Sequence, residues 1–523
     1  MNTLDHLVPT IKRNLKQFDQ PGVLFVRPGF SLHNGWPTKK EAIVVVTSPK
    51  AGKLNLPSNI EGTPVEVRPA TDLEQFSQDE PAQFSQLADH RAELRASMLP
   101  EFSPSGASVR PEVSAAVASA RQKKPEISYT PAAVPLAPVS GKISMICHVS
   151  PDAGWPTLLT FVSGTQKHLK VSMYDFTSAH ILDLFKTKLA AAAVQMTLDD
   201  PAKNPTADQT DPETVQDLGK SFGGRFTSAW ALVRSSPEAD TWIYPSAYHI
   251  KVMVRDSKTV WLSSGNLNNS NQPQIDPIGN PQATDQATAK RSDRDWHVVI
   301  ESPALAATFE AYLDHDFQQA TLHKPSGTLA TGALAKQQMP ELSSINAVAV
   351  GDFTFAAAKT INEEVTITPL LTPDPGVYQG AILDLINSVQ TSLYIQLQYI
   401  HPSTAAANAK FTDLIDAVAA QINAKKDVKI ILSEFQVEKG GLEALQAAGV
   451  NLDNVKIQNN VHNKGFVFDN KKVVVSSMNW SGEGVLSNRD AGVIIENSTA
   501  AQYYTKIFLD DWNHHATQKM VTP

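Results

Sequence analysis

A single cysteine, Cys147, occurs in 523 residues, which excludes an intrachain disulfide and a structural zinc site built from thiolates. Long apolar runs are also missing. No segment approaches the ~18 apolar residues of a membrane span, and the opening MNTLDHLVPT has no apolar stretch of the secretory kind. Excess charge of one sign is small, a formal −8 from 45 basic and 53 acidic residues. Such a balance gives no overall field to draw in nucleic acid or an anionic membrane, leaving only a local basic groove to do so. The expectation is a soluble chain without a transmembrane segment, cytoplasmic or exported without a cleaved signal peptide.

What is present is ordinary globular composition, 42% hydrophobic and 19% charged, over a length that implies more than one domain at roughly 100–200 residues each. Residues 1–95 read as a small separate α+β module: a polar helical start, then β-rich runs at 22–30 and 42–47 and an alternating run at 64–68. It is similar to a small module that precedes some bacterial hydrolase domains. Arg27 and His33 within it are expected at the surface, because no paired acid or base accompanies them. From 96 to 141 the composition turns to Pro, Ala and Ser, the signature of a semi-extended linker, with a short helix expected at 113–122.

Two halves, 142–340 and 341–523, then run in step. The first offers a helix at 155–162, a strand at 169–176, a helix at 179–191 and a strand at 194–198. The second offers a helix at 379–389, a strand at 392–400, a helix at 411–424 and a strand at 428–432. Alternation of this kind predicts βαβ units and a mixed, largely parallel sheet. The fold class expected is α/β, with two α/β-sheet domains about a pseudo-twofold axis and the small α+β module ahead of them.

Each half carries one stretch that repeats in the other. HIKVMVRDSKTVWLSSGN runs from His249 to Asn266 and HNKGFVFDNKKVVVSSMN from His462 to Asn479, with His, Lys, Asp, Ser, Ser and Asn at identical offsets. One short motif could arise by chance, but these six at fixed spacing in two places indicate a duplicated half-site. The period of two sets His249 and Lys251 on one face of a strand, and His462 and Lys464 likewise. A turn at Asp256 or Asp469 returns Ser264 and Asn266, or Ser477 and Asn479, beside them. Lysine, hydroxyl and amide donors suit an anion with tetrahedral oxygens. If both halves face one phosphate, one histidine can attack phosphorus while the other protonates the leaving oxygen. Downstream, Arg294-Asp295 and Arg489-Asp490 each open an apolar strand. The 200–238 segment and the loop at 269–292 have no equal in the second half and are expected to govern specificity.

The pair of H-x-K-x4-D signatures with a downstream S-S-x-N resembles the phospholipase D superfamily, over residues 142 to the end. The superfamily's usual Gly is Ser263 and Ser476 here, one small residue for another. The resemblance implies His249 and His462 as the catalytic pair, His249 as nucleophile, with Lys251, Lys464, Asn266 and Asn479 on the phosphate and Ser264 and Ser477, in the superfamily's serine position, binding it too. It places an acid on the outer nitrogen of each histidine, a role that falls to Asp295 and Asp490, and leaves Asp256 and Asp469 structural. No metal or cofactor is implied. The expected substrate is a phosphodiester, phospholipid favoured and nucleic acid the alternative, with peripheral membrane contact and a monomer whose two halves form an internal pseudo-dimer.

Overall fold

The computed structural model describes residues 4–71, 74, 75, 78, 99–104, 130–199, 208–236, 239–242, 247–322, 352–374, 376–403, 405–437 and 440–519. The helix expected at 113–122 lies outside them.

The N-terminal module packs helix α1 (Leu7–Asn14) on a four-stranded sheet of β1 (Val23–His33), β2 (Trp36–Thr47), β3 (Asn59–Ile60) and β4 (Thr63–Pro69), in the order β1-β2-β4-β3. It is not as separate as its sequence suggests. Arg27, expected at the surface, is fully buried and ion-paired at 2.7 Å with Glu443, itself fully buried on a second-half helix, Gly441–Ala447. Ala444 of that helix joins the module's own apolar core. His33 is exposed, as expected.

A short pairing of β9 (Leu232–Ser236) with β10 (Ala239–Trp242) stands apart. All the other strands form one fourteen-stranded sheet. The first half supplies β5 (Val139–Ser150), β6 (His168–Met173), β7 (Ala193–Leu198), β8 (Phe226–Trp230), β11 (Lys251–Arg255), β12 (Thr259–Ser263) and β13 (Asp295–Glu301). The second supplies β14 (Lys359–Thr372), β15 (Ser392–Leu397), β16 (Asp427–Leu432), β17 (Val455–Ile457), β18 (Lys464–Phe468), β19 (Lys472–Ser476) and β20 (Asp490–Glu496). The order, β17-β16-β15-β18-β19-β20-β14-β5-β13-β12-β11-β6-β7-β8, reads the same from either edge once the halves are exchanged. Lys142 pairs with Glu364 at the β5/β14 seam. Ser150 faces Asp295 just as Thr372 faces Asp490, and the same spacing carries Lys142 onto Glu364. The pseudo-twofold axis therefore passes between these two residues.

The largely parallel sheet expected from the βαβ pattern is corrected to a largely antiparallel one. Within it, among the described residues, only β6/β7, β7/β8, β15/β16 and β16/β17 are parallel. The reason is local: the signature stretches close as hairpins, β11/β12 and β18/β19, and a hairpin is antiparallel by construction. β5 begins at Val139, inside the stretch read as linker.

Period-two alternation sends each strand into two cores. Val252, Val254, Val260, Leu262, Trp296 and Val298 join a central cluster that spans both halves, while Met253, Trp261 and Val299 face a first-half cluster on the other side. Helices Pro303–Leu322 and Ser498–Asp510 cover the shared face. The opposite face is covered in the first half by Gly154–Ser163 and Ala179–Lys188, and in the second by Val377–Asn387 and Ala409–Asn423. Burial of each such Val or Leu contributes about 1.5–3 kcal/mol, so the sheet is a stiff support for what its strand ends carry.

Candidate active site

Both signature hairpins turn tightly. Asp256 and Ser257 have φ near +53°, and Asp469 and Asn470 have +52° and +56°, the left-handed pair that a two-residue hairpin turn requires. The turn carboxylates reach sideways to the neighbouring strand. Asp256 accepts from the backbone N–H groups of Gln166, Lys167 and His168 at 2.7–3.0 Å. Asp469 does the same for Gln390, Thr391 and Ser392, its closest contact 2.7 Å. Burial would raise the Asp256 carboxyl, but these donors outweigh it and hold it below its ordinary range. Both aspartates pin one strand to the next and sit at the far end of the hairpin from the histidines.

His249 does not lie within a strand. It precedes β11, which starts at Lys251; His462 likewise precedes β18. What fixes both is a pair of bridges between the halves. The Arg489 N–H donates to Ala247 O at 2.8 Å and the Arg294 N–H to Asn460 O at 2.7 Å, while His462 N–H donates to Arg294 O at 3.1 Å. Tyr248 thereby pairs with Arg489 and Val461 with Arg294. Each acid that follows these arginines is thus delivered to the other half's histidine: His249 Nδ1 is 2.9 Å from Asp490 Oδ1, and His462 Nδ1 is 3.1 Å from Asp295 Oδ1. With the Nδ1 proton directed at a carboxylate, Nε2 carries the lone pair.

The other expected residues gather around these dyads. Lys251 Nζ donates to His249 O at 2.7 Å and lies 5.1 Å from the centre of the Tyr174 ring, which meets the His249 ring edge-on. Lys464 Nζ donates to His462 O, lies 3.0 Å from His462 Nδ1 and reaches Gln398 Oε1 at 3.5 Å. Asn266 and Asn479 are buried beside the serines, and Asn266 Oδ1 has no hydrogen-bond partner among the described residues. Ser264 and Ser477, expected on the phosphate, turn instead to the acids, donating to Asp295 Oδ1 and Asp490 Oδ1, both at 2.6 Å. Each also accepts a backbone N–H of the acid's strand, from Trp296 or Ala491. Their hydroxyls are thereby committed to fixing carboxylates.

Burial and then the neighbouring Lys464 push the His462 imidazole down to about 4, against the pull of Asp295. Burial would raise the Asp295 carboxyl, but His462 and Lys464 hold it well below the usual carboxylate range. The free site therefore pairs a neutral imidazole with an ionised acid. Lys251, from the other half, also lowers His462.

Two buried arginines carry the assembly and were not singled out from sequence. Arg294 bonds Asp152 at 2.6 Å, Asp511 at 3.0 Å and Ser150 O. Arg489 bonds Asp316, Asp374 and Thr372 O in the mirrored arrangement. The signal was available: SPD at Ser150–Asp152 and TPD at Thr372–Asp374 repeat at the same places in the two halves. Tyr174 and Gln398 were missed because they occupy equal positions with unlike residues. The loop at 269–292 walls a cavity of about 640 Å³ whose lining includes Trp155, His180, Asp208, Asp276 and Asp285. No group of three or more His, Cys, Asp or Glu among the described residues is arranged to hold a metal, and no helix among them is long and apolar enough to cross a membrane.

Fold and site together define a two-half α/β architecture in which each histidine is paired with an aspartate of the other half. The family described as "Cardiolipin synthase, PLD-like domain" matches residues 382–512, about a quarter of the chain, and this second-half stretch is a phospholipase D-like domain. A phospholipase D of Rickettsia conorii (strain ATCC VR-613 / Malish 7) is 26% identical over 146 residues, 28% of this chain and 68% of that protein. A phospholipase D of Rickettsia bellii (strain RML369-C) is 27% identical over 145 residues, 27% and 67%. Among solved structures, phosphatidylserine synthase of Haemophilus influenzae Rd KW20 aligns with a TM-score of 0.48 at 14% identity, over 71% of this chain and 87% of that one.

Proposed function

We propose that this chain cleaves phosphodiesters through a covalent phosphohistidine, and that its substrate is a phospholipid. The observation that carries the chemistry is the crossed pair of dyads, which gives one site two oriented imidazoles. His462, neutral in the free site, takes up a proton from solvent once the anionic phosphodiester engages Lys464 and offsets its repulsion; His249 Nε2 then attacks phosphorus and the bond to the leaving oxygen breaks, that oxygen taking the proton from His462 Nε2. Water, or an alcohol, then attacks phosphorus as His462 takes its proton, and the P–N bond breaks with its electron pair returning to His249. Lys251, Lys464, Asn266 and Asn479 face the charge that develops on the phosphoryl oxygens. Asp295 and Asp490 orient the imidazoles and stabilise the imidazolium, while Ser264 and Ser477 hold those acids.

The lipid reading is supported by charge. The cavity walled by the 269–292 loop, whose Asn271 also bonds Asp295, is rimmed by Asp208, Asp276 and Asp285 with Trp155, surroundings that repel a polyanion and suit a cationic head group on an aromatic face. The test is to offer the wild type and His462→Asn phosphatidylcholine or phosphatidylethanolamine micelles and, separately, single-stranded DNA and RNA. Release of choline or ethanolamine, with phosphatidyl transfer to an added primary alcohol, is expected from the wild type alone. Nucleic-acid cleavage lost in the mutant, with no lipid turnover in the wild type, overturns the lipid reading.

A further inference from the structure

The histidine, lysine, serine, asparagine and acid of one half-site each have their equal in the other, but the groups behind the acids differ. In the first half Asn271 Nδ2 donates to Asp295 Oδ2 at 2.8 Å and to Asp293 Oδ2 at 3.0 Å, bridging two carboxylates. Its backbone is fixed by Asn268, whose Oδ1 accepts the Asn271 N–H at 2.9 Å. In the second half SDRD at 292–295 becomes SNRD at 487–490, so Asn488 stands where Asp293 does. Ser481, which takes the place of Asn268, accepts from the Gly484 N–H, so Gly484 stands where Asn271 does. A side chain there is not admitted: a Cβ on Gly484 would lie 2.2 Å from Asn479 O. Asp490 Oδ2 is accordingly buried with no hydrogen-bond partner among the described residues.

Resting on the phosphohistidine reading above, we propose that Asp293 is a positioning residue that acts through Asn271 and Asp295 on the proton of His462, and that it makes His462 the histidine that delivers a proton to the leaving group. An ionised Asp293 adds negative charge behind Asp295, and a negative charge favours the imidazolium over the neutral ring. The groups around Asp293 are Asp295, Glu434, Lys464 and the Ser270 hydroxyl; those acting on His462 are Lys464, Asp295 and Lys251. Burial and then the Asp295 carboxylate raise Asp293 to about 7. Its charge therefore appears on the alkaline side of neutrality, where retention in the substrate complex of the proton that His462 takes up with the phosphodiester limits the acid step. His249 has no such support behind Asp490, which suits a ring that must stay neutral to attack.

The experiment compares two phosphodiesters that share one alkyl group, a p-nitrophenyl ester whose leaving group needs no proton and a choline ester whose alkoxide does. Both are followed from pH 6 to 9 with wild type, Asp293→Asn and Asp293→Ser, folding being checked by melting temperature. The account expects the loss on the choline ester to exceed that on the nitrophenyl ester by roughly tenfold, with the alkaline limb for the choline ester moved to lower pH by about one unit. Equal losses on both esters, an unmoved limb, or a selective loss on the nitrophenyl ester each overturn it while leaving the phosphodiesterase reading intact. A wild type that turns over neither ester sinks that reading and this inference with it.

Discussion

His249 Nδ1 sits 2.9 Å from Asp490, a carboxylate 241 residues further along the chain, while the acid that follows its own signature, Asp295, holds His462. Neither half owns a complete dyad. The bridges Tyr248–Arg489 and Arg294–Val461 are what complete both, so the site exists only where the halves meet.

From the crossed dyads it follows that Asp490→Asn should impair His249 and Asp295→Asn should impair His462. Each substitution removes the group that fixes the imidazole tautomer, so turnover of a phosphodiester should fall by about 10²–10⁴-fold, less than the loss on removing a histidine. Steady-state rates of the two variants check this; wild-type turnover by either one rejects the pairing.

The turn aspartates predict the opposite pattern. Asp256→Ala leaves the N–H groups of Gln166, Lys167 and His168 without their acceptor, at an expected cost of about 1–2 kcal/mol since the turn is partly open to water. Turnover per folded molecule should stay within about twofold of wild type. Denaturant midpoints together with rates decide it, and a large rate loss with unchanged stability would move Asp256 into the chemistry.

Acid sensitivity is expected from a buried histidine pair that the reaction does not use. His297 lies between Ser150 Oγ at 2.9 Å and Ser263 Oγ at 2.7 Å and stacks on His148 at 4.9 Å. Burial lowers His297 to about 4, and burial then His297 lower His148. A folded-state value below the unfolded ~6.5 means that the unfolded chain takes up protons first. The stability these rings contribute is complete above about pH 6.5 and is lost as pH falls toward 4, at up to ~1.4 kcal/mol per pH unit for each ring. Unfolding midpoints measured at several pH values should fall more steeply for wild type than for His297→Gln; parallel slopes would refute this.

How much of this was legible depends on range. The H-x-K-x4-D stretches, the strands they form and the positions of Lys251 and Lys464 follow from spacing within 18 residues, because turn and period are local properties. Strand direction was not legible: periodicity marks Val252 and Val254 as one face of a strand but says nothing of what lies beside it. Arg27 illustrates the same limit, since its partner Glu443 is 416 residues away and no local signal separates a buried cation from an exposed one. The serines misled for a different reason. A hydroxyl beside a phosphate site reads as a donor to phosphate, and only the fold brings Asp295 and Asp490 within reach to claim Ser264 and Ser477.

One shared site with His249 as nucleophile and His462 as proton carrier requires a covalent intermediate on His249 that can be trapped. His462→Asn, mixed with a p-nitrophenyl phosphodiester, acid-quenched and mapped by mass spectrometry, should release about one nitrophenol per active site in a burst and then stall with the phosphoryl group on His249, as covalent catalysis with a blocked second step requires. Steady turnover by this variant near the wild-type rate, or an adduct on any residue other than His249, would contradict the account.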